Sequence, residues 1–294
     1  MKKNFSFSWL MLIVVLMVAG CGLRATQRTA INDFAASTAA VGKIASDEVI
    51  SMRNETINMN RNSLVLAGPD PALPKLVDLD GTFKPDSTLV ITKAIDVLKT
   101  YGDSLQALSQ ATQKDEIQKA SDNLMTSVAG LSDKYKLSQE EKDAVGKVIV
   151  AGGSMIVEEM KEHYIKQIVK KYKDPVNRLA NLLVNDFDEN YPGSMSSAFV
   201  AVAVRSSTYA SRAFDQCKDI SCREKALGGF ESANANVNRS KTVFSDIKIS
   251  LQKMIKAHET MAQALESNRL SQSDVKDFTS SVKQLIDALR VFTK

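Results

Sequence analysis

The sequence predicts an all-α protein, folded as an elongated antiparallel bundle of about seven or eight helices. Long stretches without proline leave room for long helices, because proline breaks a helix interior. Along these stretches apolar residues recur at spacings of three, four and seven, which is the period of a helix face. No segment shows the sustained alternation of apolar and polar residues that a half-buried β-strand requires.

The first long helix is predicted over residues 27–66, where small or apolar side chains recur every seven residues. Its apolar face is narrow and is interrupted by Glu48 and Glu55, so we expect only shallow burial there. Four of the six prolines follow within a short stretch. They predict a loop over residues 67–87 that separates this helix from the rest of the bundle.

Shorter helices are predicted in the middle of the chain. Asp86 or Ser87 is a candidate N-cap for the second helix, and a capping box that starts at Ser138 begins a later one. The Asp174-Pro175 pair is expected to open a further helix, as its cap and first position. An apolar segment with two glycines, residues 144–157, is too short to span a bilayer as a helix and is predicted to be buried.

The clearest pattern lies near the C-terminus, where side chains from Phe230 to Leu265 alternate in steps of three and four. This heptad spacing predicts one long helix with a single buried seam. His258 occupies a seam position, where a polar residue usually fixes the register between helices. A last helix, capped by Ser271 or Ser273, is predicted to pack antiparallel against the long one as a hairpin.

Cys217 and Cys222 form an isolated pair, which outside the cytoplasm usually becomes a disulfide. On a continuous helix their Cα atoms would lie roughly 8–9 Å apart, which is too far to bridge. A disulfide therefore predicts that the helix breaks at residues 218–221. The alternative is a metal site, for which zinc would need more ligands than the distant His163 and His258 supply.

Few other residues suggest chemistry. Glu159 and His163 lie one helical turn apart, a spacing used by metal sites, but two ligands do not make a site. The acidic cluster at Asp186 and Asp188 begins like a calcium loop, but Tyr191 stands where that loop needs glycine. The common nucleophile, phosphate-binding and dinucleotide motifs are absent from the sequence. We therefore expect no metal, no cofactor and no catalytic residue.

The first 20 residues have the pattern of a secretory signal: a basic start, then an apolar run from Trp9 to Ala19. This run ends in Val18-Ala19-Gly20-Cys21, which resembles the lipobox of bacterial lipoproteins. The resemblance implies that residues 1–20 are removed as a signal peptide. It also implies that Cys21 receives a diacylglyceryl group and that the new amino end is usually acylated.

The same resemblance implies a location in the cell envelope. Gly22 follows the cysteine, which in enterobacterial lipoproteins favours release to the outer membrane, and the inner membrane stays open. An uncleaved membrane anchor is an alternative, because the uncharged stretch is close to the length that spans a bilayer. Residues 21–28 would form the lipidated tether and residues 29–294 the helical domain. The periplasmic side of the membrane is favoured, and the cell surface is the alternative. Two or three acyl chains suffice for stable anchoring.

We expect a membrane-anchored envelope lipoprotein that acts without catalysis, as a scaffold or docking module for another protein. Nucleic acid binding is not expected, because the net charge of +4 falls to +2 once the two lysines of the leader are left out. Two alternatives stay open. One is an immunity or exclusion lipoprotein that intercepts a foreign protein in the envelope. The other is an enzyme with a cryptic acidic site around Asp186, Asp188 and His163.

Overall fold

The computed structural model describes residues 23–67, 75–129 and 157–292. These residues form eight α-helical segments, which are α1 (Ala25–Ala67), α2 (Pro85–Gln110), α3 (Lys114–Ala129), α4 (Val157–Asp186), α5 (Met195–Gln216), α6 (Ile220–Arg239), α7 (Ser245–Glu266) and α8 (Lys276–Phe292). A π-helical turn, Ser240–Phe244, joins α6 and α7 into one continuous helix, and short 3₁₀ turns at Leu76–Asp78 and Gln272–Asp274 precede α2 and α8. Seven continuous helices and no strand in the described ranges confirm the predicted all-α bundle.

Several predicted features lie outside the described residues. They are the leader with its lipobox at Cys21, part of the loop 67–87, the capping box at Ser138, and all of the apolar segment 144–157 except its last residue.

Helix α1, the longest of the described helices, organises the molecule. Its 43 residues extend for about 65 Å at 1.5 Å per residue, and it contacts α2, α5, α6, α7 and α8 in turn. Antiparallel packing on α2 is fixed near both ends: the Ser109 hydroxyl donates to Asn32 Oδ1 (3.0 Å), and Arg53 Nε donates to the Phe83 carbonyl (3.1 Å). The first helix is therefore an integral part of the bundle.

Two regions follow from these contacts. We call residues 23–55 together with α2, α3, α4, α7 and α8 the body. We call residues 56–67 together with α5 and α6 the arm, in which Arg205 Nη2 donates to Asn60 Oδ1 (2.9 Å) and Ser206 donates to the Met59 carbonyl (3.4 Å). The described chain begins in the body at the buried Leu23, so the arm ends at the opposite side of the molecule.

The shallow burial expected around Glu48 is wrong. Glu48 is only 3% exposed, and its carboxylate accepts two hydrogen bonds from Arg239, at 3.1 Å from Nε and 2.6 Å from Nη2. Glu55 accepts a hydrogen bond from the Asn236 side chain at 3.3 Å. The face of α1 is polar here because it packs against a helix that supplies matching donors.

Two predicted helix starts are also wrong. Helix α2 begins at Pro85 and has Lys84 as an N-cap without a side-chain hydrogen bond, so Asp86 and Ser87 lie inside its first turn. Proline suits a first position because its fixed φ angle matches the helix and its missing N–H has no intrahelical partner there. Pro175 instead lies within α4, which continues past it to Asp186. Buried side chains on both sides of Pro175 offset the lost hydrogen bond.

The C-terminal hairpin is confirmed. Helix α7 ends at Glu266, Asn268 reverses the chain with a φ angle of 54°, and Ser271 caps the next turn in a capping box with Asp274. The predicted seam is buried along α7 but not where it begins in α6, since Phe230 is 37% exposed. Phe230 lies in α6, on the N-terminal side of the π-helical turn. This part of the helix belongs to the arm, where fewer helices are available to cover the side chain.

Candidate functional site

The polar seam residue His258 is completely buried in the middle of the body. Its ring stacks on Phe34 with 5.5 Å between the centroids. Nδ1 lies 3.1 Å from Asn177 Oδ1, and Nε2 lies 2.6 Å from the Tyr101 hydroxyl. Because Asn177 donates through its amide nitrogen to Glu259 at 3.3 Å, its oxygen faces the ring and accepts the Nδ1 proton. Tyr101 then donates to Nε2.

This network keeps His258 neutral. Burial, with a smaller contribution from the charge of Lys173, lowers the pKa of His258 to about 3. Burial also raises the pKa of Tyr101 well above its ordinary value, so the tyrosine keeps the proton that it donates. Both ring nitrogens are satisfied and neither reaches solvent, so the network fixes the register of α2, α4 and α7 rather than handling a substrate.

The residues of the alternative acidic site, Asp186, Asp188 and His163, do not come together. His163 lies near the start of α4, where its ring nitrogen is 2.7 Å from the Gln167 amide. Asp186 ends the same helix, about 35 Å away along the axis. Asp188 lies in the connection after α4 and faces α7 instead, with its carboxylate 3.3 Å from Lys248 Nζ. The backbone N–H of Asn190 is the largest of the causes that lower the pKa of Asp188.

Asp186 occupies a different environment from Asp188. It borders a cleft of about 270 Å³ between the start of α2 and the start of α5, and burial raises its pKa to about 6. No group of three or more histidine, cysteine or acidic residues suited to a metal ion occurs among the residues described.

Cys217 and Cys222 lie at disulfide distance, with their Cα atoms 5.4 Å apart. The helix is interrupted between Gln216 and Ile220, which agrees with the break that a bridge requires. Asp219 caps the new helix, since its carboxylate accepts a hydrogen bond from the Cys222 N–H at 2.8 Å. The two cysteines thus close the connection between α5 and α6.

Exposed apolar side chains surround this connection. We call this end of the arm the tip, defined by residues 65–67 and 213–230. Large apolar side chains are at least one-third exposed here at Val65, Phe214, Ile220, Leu227 and Phe230. A groove of about 470 Å³ runs beside the cysteine pair between α1, α5 and α6. Exposed apolar clusters of this kind are typical of surfaces that bind another protein.

Sequence reasoning found the cysteine pair but missed the surface around it. A usable signal was present, since Phe214 precedes the two cysteines and Ile220 lies between them, in a connection too short to bury these side chains. A large apolar residue beside a predicted interhelical turn has few neighbours that can cover it.

Comparisons with protein-family models, with curated proteins and with solved structures find no match for this chain. Within the described ranges, none of the helices combines the length and the apolar character needed to cross a bilayer.

Proposed function

We propose that this protein is a lipid-anchored component of the bacterial envelope that binds another envelope protein through its tip, without catalysis. This proposal rests on the exposed apolar side chains around the Cys217–Cys222 connection, at the end of the arm. A bridge at this connection would limit the freedom of the loop, so less conformational entropy would be lost on binding.

The position of the tip supports the same proposal. Cys21 precedes the buried Leu23 by two residues, so an acylated Cys21 would hold the body close to the membrane surface. Helix α1 would then carry the tip about 65 Å away from the residues next to the anchor. Such a layout presents a contact surface to proteins that lie beyond the lipid headgroups.

The first test addresses the anchor. We expect radiolabelled palmitate to enter the wild-type protein in growing cells, and the Cys21→Ser variant to remain unlabelled and to accumulate as an uncleaved precursor. Cys217→Ser is the matched control and should be labelled normally. Equal labelling of the wild type and the Cys21→Ser variant would remove lipidation at this residue from the proposal.

The second test addresses the tip. A photo-crosslinking amino acid is placed at Ile220, which is 76% exposed, and at Val291, which is an equally exposed β-branched residue of the body (73%). We expect one discrete crosslinked partner from position 220 and none from position 291. The product should disappear when Phe214 and Leu227 are replaced by serine. Similar products from both positions would contradict a docking role for the tip.

A further inference from the structure

The Asp186 cleft lies at the start of α5, and the tip groove lies at the end of the same helix. The wall of the cleft joins three elements. The start of α2 with the residues just before it, the end of α4 and the start of α5 enclose about 270 Å³. Hydroxyl groups and apolar side chains alternate around it, and Asp186 is the one charged residue among the described residues of the wall. The lining residues are Thr82, Phe83, Ser87, Thr88, Ile91, Asp186, Gly193, Ser194, Met195 and Ala198.

The Asp186 carboxylate lacks a counter-charge. Neither a hydrogen bond nor an ion pair joins it to another described residue, and burial alone accounts for the rise in its pKa. Asp188, two residues later, is by contrast paired with Lys248 at 3.3 Å. A partly buried carboxylate without a partner is unfavourable, so a cation that enters the cleft would be stabilised.

Two helices begin at the cleft, but their N-termini do not make it an anion site. Helix α2 begins at Pro85, which has no N–H to donate, and carries Asp86 in its first turn. Helix α5 begins after Ser194, whose hydroxyl already accepts the Ser197 N–H at 3.0 Å. The carboxylate of Asp186 would also repel an anion. The charge of the cleft therefore favours a cation.

Hydroxyl groups define which cation fits. Thr82 and Ser87 are exposed at the mouth of the cleft, and their hydroxyls have no hydrogen-bond partner among the described residues; the Thr88 hydroxyl donates to the Phe83 carbonyl at 3.3 Å and can still accept. An ammonium group carries three donors and no acceptor. One carboxylate together with two hydroxyl oxygens would satisfy all three donors. The partly exposed Ile91 and Ala198 provide apolar surface for a short carbon chain, and the largely buried Phe83 and Met195 border the same wall.

We propose that the cleft binds an alkylammonium group, held by Asp186 and the neighbouring hydroxyls with its carbon chain against Ile91 and Ala198. The volume lies just below the range of clefts that enclose drug-sized ligands, so the chain is only a few carbons long. A free short-chain amine and a lysine side chain of a bound protein carry the same group. This site is separate from the tip and does not depend on the function proposed for it.

The test uses butylammonium chloride as the probe. It is titrated at pH 7.5 into the full-length protein, which is held in a nonionic detergent and labelled with ¹³C at the methionine methyl groups. The Met195 signal, assigned with the Met195→Leu variant, reports occupancy of the cleft. We expect a saturable shift of this signal with a millimolar dissociation constant, and at least tenfold weaker binding of 1-pentanol, which has a similar length and no charge.

Variants separate the site from general effects. Asp186→Asn keeps the shape of the side chain and should weaken butylammonium binding at least tenfold, while Ser87→Ala should weaken it by a smaller factor. Asp246→Asn is the matched control, because Asp246 is also a partly buried aspartate with a raised pKa but does not line the cleft. Its affinity should equal that of the wild type.

A second titration with N-acetyl-lysine methylamide distinguishes the two sources. Binding of both probes supports a lysine side chain as an occupant, and binding of butylammonium alone supports a free amine. The proposal is overturned if butylammonium gives no saturable shift, if pentanol binds equally well, or if Asp186→Asn binds like the wild type.

Discussion

The body and the arm are held together by different kinds of contact. The body buries large aromatic side chains, among them Phe34, Tyr101, Tyr164 and Phe278, between several helices. The arm has three helices whose contacts consist mainly of small residues, with Ala203, Ala210, Ala226 and Ala233 all buried. Small side chains let helices approach closely but remove little apolar area from water. The body therefore carries most of the stability, whereas the arm is held mainly by the close approach of its helices and by the connection at the cysteine pair.

The largest effect is expected at the centre of the body. His258→Ala removes a ring stacked on Phe34 and leaves the Tyr101 hydroxyl without its acceptor in a dry core. We expect the free energy of unfolding to fall by about 3–5 kcal/mol, measured by urea denaturation. Leu227→Ala on the arm should change it by less than about 0.5 kcal/mol. A loss below about 1 kcal/mol at His258 would contradict the assignment of the core to the body.

Acid should lower the free energy of unfolding through the same residue, His258. The pKa of His258 is about 3 in the folded protein and 6.5 in the reference state, so the unfolded chain takes up a proton first as the pH falls. The stabilisation is complete above pH 6.5 and is lost progressively below it, by roughly 3 kcal/mol between pH 7 and pH 4. Urea unfolding across this range measures the loss, and His258→Phe should flatten the curve.

Asp186 should act in the opposite direction. Its pKa of about 6 lies above the reference value of 3.8, so the folded protein binds the proton more tightly and gains stability as the pH falls through 6. With solvent screening this gain is about 1–2 kcal/mol. The Asp186→Asn variant should therefore be more stable than the wild type at pH 7 and equal to it near pH 4. The reverse order at pH 7 would show that Asp186 has a favourable partner.

Helices α1 and α2 of the body approach each other closely at Gly102. A Cβ atom on Gly102 would lie 2.6 Å from the Ala35 carbonyl oxygen and 2.7 Å from the Ala39 nitrogen, and both are backbone atoms that cannot move aside alone. Gly102→Ala should therefore force α1 and α2 apart and destabilise the protein by about 1–3 kcal/mol in thermal or urea unfolding. A variant as stable as the wild type would mean that these helices are less tightly packed than the structure indicates.

The cysteine pair should matter locally. A bridge that closes a six-residue loop contributes about 2 kcal/mol in the chain-entropy account. Replacing both Cys217 and Cys222 by serine should therefore raise hydrogen exchange at backbone amides of residues 210–235 by up to about thirtyfold. Amides near Tyr101 and His258 in the body should exchange as before. Faster exchange throughout the body would contradict the separation of the two regions.

The parts of the fold that sequence reasoning predicted well are those with a local signal. The prediction of 27–66 for helix α1 agrees with the observed Ala25–Ala67. Heptad spacing predicts the hairpin of α7 and α8. Both predictions succeed because a buried stripe repeats along its own helix. The burial of Glu48 had no such signal. Its partner Arg239 lies 191 residues away, and only the folded chain brings the two together.

The same distinction applies to the candidate sites. The cysteine pair could be predicted because both members and the required helix break lie within six residues. The seam position of His258 could be predicted from spacing, but its partners Tyr101 and Asn177 come from two other helices. The Asp186 cleft needs two stretches, residues 82–91 and 186–198, which lie 95 residues apart in the sequence, so its acidic residue alone suggested a cluster with Asp188 that the structure does not form.

The smallest effect tests the arm at its exposed surface. Gly228 lies inside α6, and a Cβ atom added there would meet nothing within 4 Å, whereas at Gly229 it would meet Leu66 Cδ1 at 3.1 Å. Alanine has a higher helix propensity than glycine, so Gly228→Ala should stabilise the arm by about 0.5–1 kcal/mol. Slower hydrogen exchange in α6 would report this gain, and Gly229→Ala should give less benefit or none, since Leu66 must move. Equal gains at both positions would mean that α6 does not pack closely on α1, and the contrast between a deep body and a closely packed arm would then be lost.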